Sequence, residues 1–353
     1  MKSHLFLVGL LSVTSWLGVW EPTDGFPVAW HRIGNGAAPQ VPLGVQVDRL
    51  GQSGRVQKKD SAISGRLAFV IYEKGEGLIW SCKVDGTEMR RVVIDSGSWA
   101  FPTWSTDGRS LLAFRKAGNA GGSLCQVTWP GGEVRVLKKV DDEYFGGVFS
   151  KDMKRVVYCD GAQTRRLKFL DIESMETMER DFGPGFVATP AWSPDGKRLA
   201  LQTNIDRIRN NPGSGIQDQI WLFSHDGLEG RRLSLDSEKT YSRPAWSNDS
   251  KSLAVVVGEP RERAPLAYSI EVLDADSGKS IRVIKPPRGY ELGVGPLAWS
   301  PQSGDLAILL REEGRETVGI WILSLLENSY AFRQILSPRQ EIVSISWGME
   351  PPH

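Results

Sequence analysis

The chain has 353 residues, and its 43 Lys and Arg stand against 42 Asp and Glu, a formal charge of +1. So even a balance lacks the basic excess that neutralises phosphates, so no nucleic-acid partner is expected. A hydrophobic content of 40% is enough for a core, and 38 Gly, 20 Pro and 13 Trp favour short strands joined by turns over long helices.

At the N-terminus, Lys2 precedes the apolar run Leu5 to Trp20, LFLVGLLSVTSWLGVW. Its length suits a secretory signal and falls short of the roughly 20 residues of a membrane-spanning helix. No A-x-A cleavage site follows, and Trp16, Leu17 and Trp20 stand where small residues are wanted. Export is expected, with residues 1–20 as a signal peptide or a retained anchor. A retained anchor would attach the protein to a membrane through residues 5–20. A buried element of a cytosolic protein is the alternative. Residues 21–60 read as a Pro/Gly-rich tether carrying Pro22, Pro27, Pro39 and Pro42, with Phe26, Trp30 and Ile33 as anchors if it docks on a partner. Cys82, Cys125 and Cys159 form no C-x-x-C pair and are expected as small buried hydrophobes.

From residue 61 the sequence repeats. FPTWSTDGRSLLAF (101–114), TPAWSPDGKRLALQT (189–203), RPAWSNDSKSLAVVV (243–257) and GPLAWSPQSGDLAILL (295–310) align, with FGGVFSKDMKRVVYCD (145–160) as a degenerate copy. The marker aromatics Trp104, Phe149, Trp192, Trp246, Trp299 and Trp347 are separated by 45, 43, 54, 53 and 48 residues. That is the period of a four-stranded propeller blade. In each copy a strand ends in the marker and Ser, a tight turn follows, Pro-Asp-Gly in the best copy, and an apolar strand comes next. A third strand is marked by an aromatic in LIWSCKVDG, QIWLFSHDG and GIWILSL, and a second Asp-Gly turn leads to a fourth, MRRVVI or RRLSL. The first unit has no strand ending in a marker, and Ile342 to Trp347 has nothing to follow it. The reading is therefore an all-β chain, a six-bladed β-propeller over 61–353, whose C-terminal strand completes the first blade and closes the ring.

The repeat W-S-P-D-G-K-x-[LI]-A, best kept at Trp192 to Ala200, resembles the WD40-like repeat of the TolB propeller family over about 61–347. Similar blades occur in propellers of prolyl-oligopeptidase-type enzymes. Only the tether stands where TolB carries an α/β domain, and no room is left for a hydrolase domain, so a free-standing propeller is expected. The resemblance implies an extracytoplasmic location, periplasmic or secreted, and a membrane-associated peptide or lipoprotein partner at the funnel face.

The chemistry-bearing residues are sparse. The four histidines, His4, His31, His225 and His353, share no metal-ligand spacing and give a serine hydrolase no base inside the propeller. No phosphate loop, dinucleotide fingerprint or G-x-S-x-G elbow is present, so no catalytic residue, cofactor or metal is expected. The repeated tryptophans are expected in the core rather than stacked on sugars. Function is expected in the loops that differ between copies. Trp99, Tyr144 and Tyr241 lie five residues before their markers and, with Tyr290, are expected on one face. Two enlarged loops, 204–218 and 258–265, bring Arg207, Arg209, Arg261 and Arg263 to the same face. Aromatics beside arginines compose binding hot spots. The acidic runs Asp141–Glu143 and Glu312–Glu313 are expected as a solvated rim. A non-catalytic protein-interaction module in an envelope assembly is the leading reading. The alternatives are a glycan or small-molecule binder or enzyme using the channel, and a purely structural subunit.

Overall fold

A computed structural model describes residues 63–95, 97–117, 121–140, 144–160, 166–181, 186–205, 218–227, 229–261, 264–337 and 341–351. The expected leader and tether lie outside the described residues.

The strands group into six antiparallel sheets. The first blade holds β1 (Arg66–Glu73), β2 (Glu76–Lys83) and β3 (Arg90–Arg91). The second holds β4 (Trp99–Trp104), β5 (Ser110–Lys116), β6 (Gly122–Thr128) and β7 (Val134–Val140). The third holds β8 (Tyr144–Phe149), β9 (Arg155–Asp160), β10 (Arg166–Asp171) and β11 (Thr177–Asp181). The fourth holds β12 (Val187–Trp192), β13 (Arg198–Thr203), β14 (Gln219–Ser224) and β15 (Gly230–Arg232). The fifth holds β16 (Thr240–Trp246), β17 (Ser252–Arg261), β18 (Ala264–Asp274) and β19 (Ser280–Ile284). In the sixth the innermost strand is broken into β20 (Tyr290–Leu292) and β21 (Ala298–Trp299), followed by β22 (Asp305–Glu312), β23 (Val318–Leu325) and β24 (Tyr330–Leu336). The last strand, β25 (Glu341–Gly348), pairs antiparallel with β1, with Trp347 opposite Leu67. The ring closes as the repeat pattern predicts.

The Trp-Ser-x-Asp-Gly signature is a turn built by two side chains. Ser105 donates its hydroxyl to Asp107 at 2.6 Å, and its oxygen accepts the Ser110 amide at 2.9 Å. The same pairs recur at Ser150 and Asp152, Ser193 and Asp195, and Ser247 and Asp249. The hydroxyl and a backbone amide two residues on hold the carboxyls of Asp152 and Asp249 below the usual range.

Six clusters of buried apolar side chains are found among the described residues, one at each seam between neighbouring blades. Strand alternation feeds both sides at once: Leu67, Phe69 and Ile71 of β1 enter the seam with the sixth blade, Ala68 and Val70 the seam with the second. The fourth strands of blades one and four are shorter than their sequences suggest. Val92 and Val93 after β3, and Leu233 after β15, are buried in seams, and Val92 and Leu233 still donate their backbone N–H to Ile79 O at 2.9 Å and Ile220 O at 2.8 Å. The three cysteines are free and buried, and burial pushes the Cys125 thiol up to about 11 and Cys82 to about 12.

The marker tryptophans pack in the seams but are not equivalent. Trp246 and Trp299 donate their indole N–H to Ala191 O and Ala245 O of the preceding blade, both at 2.9 Å, and Trp347 donates to Ser64 O at 3.1 Å. The indole nitrogens of Trp104 and Trp192 have no partner. Burying a Trp is worth about 4–6 kcal/mol at most from area alone, and the bond adds about 1 kcal/mol. Trp246→Phe and Trp299→Phe should therefore each cost about 1 kcal/mol or more beyond the cost of Trp104→Phe and Trp192→Phe, read from urea unfolding midpoints. Equal losses in all four would show that the bonds contribute nothing.

Candidate binding site on the inner wall

The innermost strand of every blade borders the ring's axis, and in blades two to five it carries the same irregularity. Its register with the next strand slips by one residue three positions before the marker. The residues there, Phe101, Gly146, Thr189 and Arg243, have φ of 52°, 98°, 47° and 54°. Holding Phe, Thr and Arg in this region costs on the order of 1–3 kcal/mol each, so the seams must over-determine the bulge. Proline follows in three of the four (Pro102, Pro190, Pro244), consistent with its confinement to edges and bulges of sheets.

The bulge decides where the aromatic candidates go. In a regular strand, residues five apart face opposite sides. One extra residue restores the parity, so Trp99 joins Trp104, Tyr144 joins Phe149 and Tyr241 joins Trp246 in the same seam. Trp99 is 1% exposed, and Tyr144 and Tyr241 are 4% exposed. Trp99 donates its indole N–H to Asp95, which also pairs with Arg115 at 3.0 Å. Tyr144 stacks on Phe114 at 4.7 Å between centroids, and its buried hydroxyl is unpartnered. Tyr290 is half-buried, edge-on to Trp321 at 5.1 Å. The expected aromatic ring on the face is thus seam packing.

Of the arginine candidates, Arg207, Arg209 and Arg263 lie outside the described residues. Arg261 ends β17, and its side chain is likewise undescribed. Most of the segment 258–265 belongs to strands: β17 and β18 stay paired as far as Arg261 opposite Ala264, and they are the longest strands among the described residues. Its base is pinned by Lys239, which contacts Glu259 at 2.7 Å and the buried Glu271 at 3.3 Å. Asp141–Glu143 lies outside the described residues, and Glu312 pairs with Arg315 at 3.1 Å.

A polar cluster that the repeat pattern did not single out runs from the second and third strands of blade four to the inner strands of blades four, five and six. The Gln202 side-chain amide donates to Asp218 Oδ2 at 2.7 Å. Its oxygen accepts the Thr189 hydroxyl at 3.4 Å and the Arg243 backbone N–H at 3.3 Å. The Arg243 guanidinium donates to Gly293 O at 2.9 Å, at the break between β20 and β21. Asp218 Oδ1 is buried without a partner, and desolvation pushes the carboxyl up to about 6 against the pull of Gln202. Burial also lowers the Arg243 pKa, while the nearby Tyr268 phenol favours the charged form. Tyr268 is 44% and Val294 42% exposed. The only sequence signal for Arg243 is its place before Pro244 in the RPAW copy, where the other copies carry neutral residues.

Solved structures with this architecture include TolB of Acinetobacter baumannii, with a TM-score of 0.64 and 16% identity over 81% of this chain and 67% of that one. A nidogen/laminin complex matches with a TM-score of 0.56 and 14% identity over 80% and 98%. A TolB candidate from Agrobacterium tumefaciens matches with 0.51 and 16% over 80% and 98%. The fold is a TolB-type six-bladed propeller. No protein-family model matches the sequence, and no curated protein does. At these identities the TolB-type likeness establishes the fold, and function has to be argued from the wall.

Asp218 gives that wall a pH signature. The folded protein binds this proton more tightly than the unfolded chain, so the contribution of Asp218 is fully stabilising below about pH 4 and is lost as the pH rises through about 6. Asp218→Asn should raise stability at pH 7 by on the order of 1–3 kcal/mol, and the gain should vanish towards pH 4. Urea unfolding of both proteins across that range checks it; a pH-independent difference would exclude the titration.

Proposed function

We propose that this chain is a non-catalytic, exported propeller that binds a protein partner at its channel face within an envelope-associated assembly. One observation carries the reading. Near an inner-strand arginine that pairs with no carboxylate among the described residues stand the exposed Tyr268 of β18 and the exposed Val294 that follows its partner Gly293, together the composition of a binding hot spot. Rigid blades present such a wall at little entropic cost. The likeness to TolB, and to a propeller solved in a nidogen/laminin complex, supports a protein ligand as the kind of partner. The extracytoplasmic location rests on the apolar run at residues 5–20 and on the TolB likeness. Among the described residues no helix is long and apolar enough to cross a membrane.

A second reading places a glycan or small molecule in the channel, with or without turnover. It draws on Asp218, whose carboxyl is held at about 6 behind that wall and is linked to it through Gln202.

Affinity capture from native envelope extract, with the full chain and a chain beginning at Asp60, tests the proposal. A stoichiometric companion retained by both places the partner on the propeller, and one lost with the tether moves the site to residues 21–60. No companion at all favours the channel ligand. Replacing Arg207, Arg209, Arg261 and Arg263 together by Ser should abolish capture while the far-UV spectrum stays unchanged; undiminished capture removes these four from the interface.

A further inference from the structure

Several partly buried cations among the described residues have carboxylate partners. Arg66 pairs with Glu88 and Glu350, Lys168 with Asp160, Lys239 with Glu259 and Glu271, and Arg198 with Asp276. Arg243 has none among the described residues, and it shares this with Arg91, which donates to the Asp95 carbonyl and keeps a buried Nε unpartnered. The Arg243 guanidinium donates to the Gly293 carbonyl, and its backbone amide donates to Gln202. The bulge that sets it at the wall is shared with Phe101, Gly146 and Thr189, all neutral, so of the four bulge residues it alone is charged. A partly desolvated cation without a counter-ion has lost hydration and gained little in return. Its planar fork suits a carboxylate, whose two oxygens can accept parallel N–H bonds.

We propose that Arg243 is the anion anchor of the channel: it takes a ligand carboxylate at the junction of blades five and six, with Tyr268 and Val294 receiving the apolar group beside it. This rests on the channel-face reading above and names the chemistry that the face selects. The arginine exchanges its place beside a neutral carbonyl, at the break between β20 and β21, for a charge-assisted pair. The carboxylate belongs either to an acidic side chain or to a chain terminus.

Three short probes distinguish the sources: acetyl-Glu-Leu-Glu-amide, Gly-Leu-Gly with a free C-terminus, and acetyl-Gly-Leu-Gly-amide. Calorimetric titration of the full chain should show saturable binding of the first or the second, weakened by added salt, and none of the third. Arg243→Gln should weaken the bound probe by about tenfold or more, and Arg243→Lys, which keeps the charge but not the fork, by less. Tyr268→Ala removes an exposed side chain and serves as a second variant independent of any refolding at the bulge; it should weaken the same probe several-fold. Equal affinity in wild type and Arg243→Gln overturns the anchor, as does absence of binding of both acidic probes to the wild type. Capture of a companion undiminished by Arg243→Gln overturns the anchor and leaves the interaction reading standing. Saturable carboxylate binding with no companion captured does the reverse.

Discussion

Every blade of this protein is a sheet with two buried faces, and nothing in the ring is stable until both are covered. That constraint sets the sequence. Residues 66–71 of β1 are buried one after another, because odd positions serve one seam and even positions the next. The core is therefore six thin layers rather than one centre. A large aromatic at one fixed inner-strand position supplies each layer with area. A turn held by a serine and an aspartate fixes its depth, and polar residues are pushed to strand ends and outer edges.

The same constraint produces the candidate site. Packing a marker aromatic and a second large residue five positions earlier into one seam requires an extra residue between them. The bulge that accommodates it leaves a residue on the wall in a conformation that most side chains resist. In blades two to four that residue is a by-product of packing, and in the fifth blade it is an arginine. Polar groups follow it: Gln202 satisfies its amide, Asp218 satisfies Gln202, and one carboxylate oxygen is left over. A buried network with unspent valence at both ends is poorly explained as stabilisation, since apolar residues of the same size would serve the seam better.

Much of the fold was legible because its grammar is local. The Ser and Asp of each turn bond within five residues, the Asp-Gly turns set the hairpins, and the marker spacing counts the blades. The orphaned strand at Ile342 to Trp347 even disclosed the closure. The site was less legible because a single slipped register reverses which side a residue faces. Trp99, Tyr144 and Tyr241 look like an exposed ring under regular alternation and become core once the slip is counted. Pro102, Pro190 and Pro244 were the available signal, since proline inside a strand marks a bulge or an edge. Arg243 is hard to read from the sequence because one charged residue within a strand, before proline, has the composition of a solvated edge.

The closure between β25 and β1 also orders events in time. About 250 residues separate the first blade's outer strands from the strand that completes it, and at a ribosomal pace of about 5–20 residues per second that interval lasts roughly 12–50 s. Throughout, β1 waits with one edge unpaired and its seam with the sixth blade unbuilt, while blades two to five can already stack on each other. The nascent ring is a crescent with apolar faces at both horns. A chain that must also cross a membrane would profit from that delay, because an open crescent can still be threaded and a closed propeller cannot.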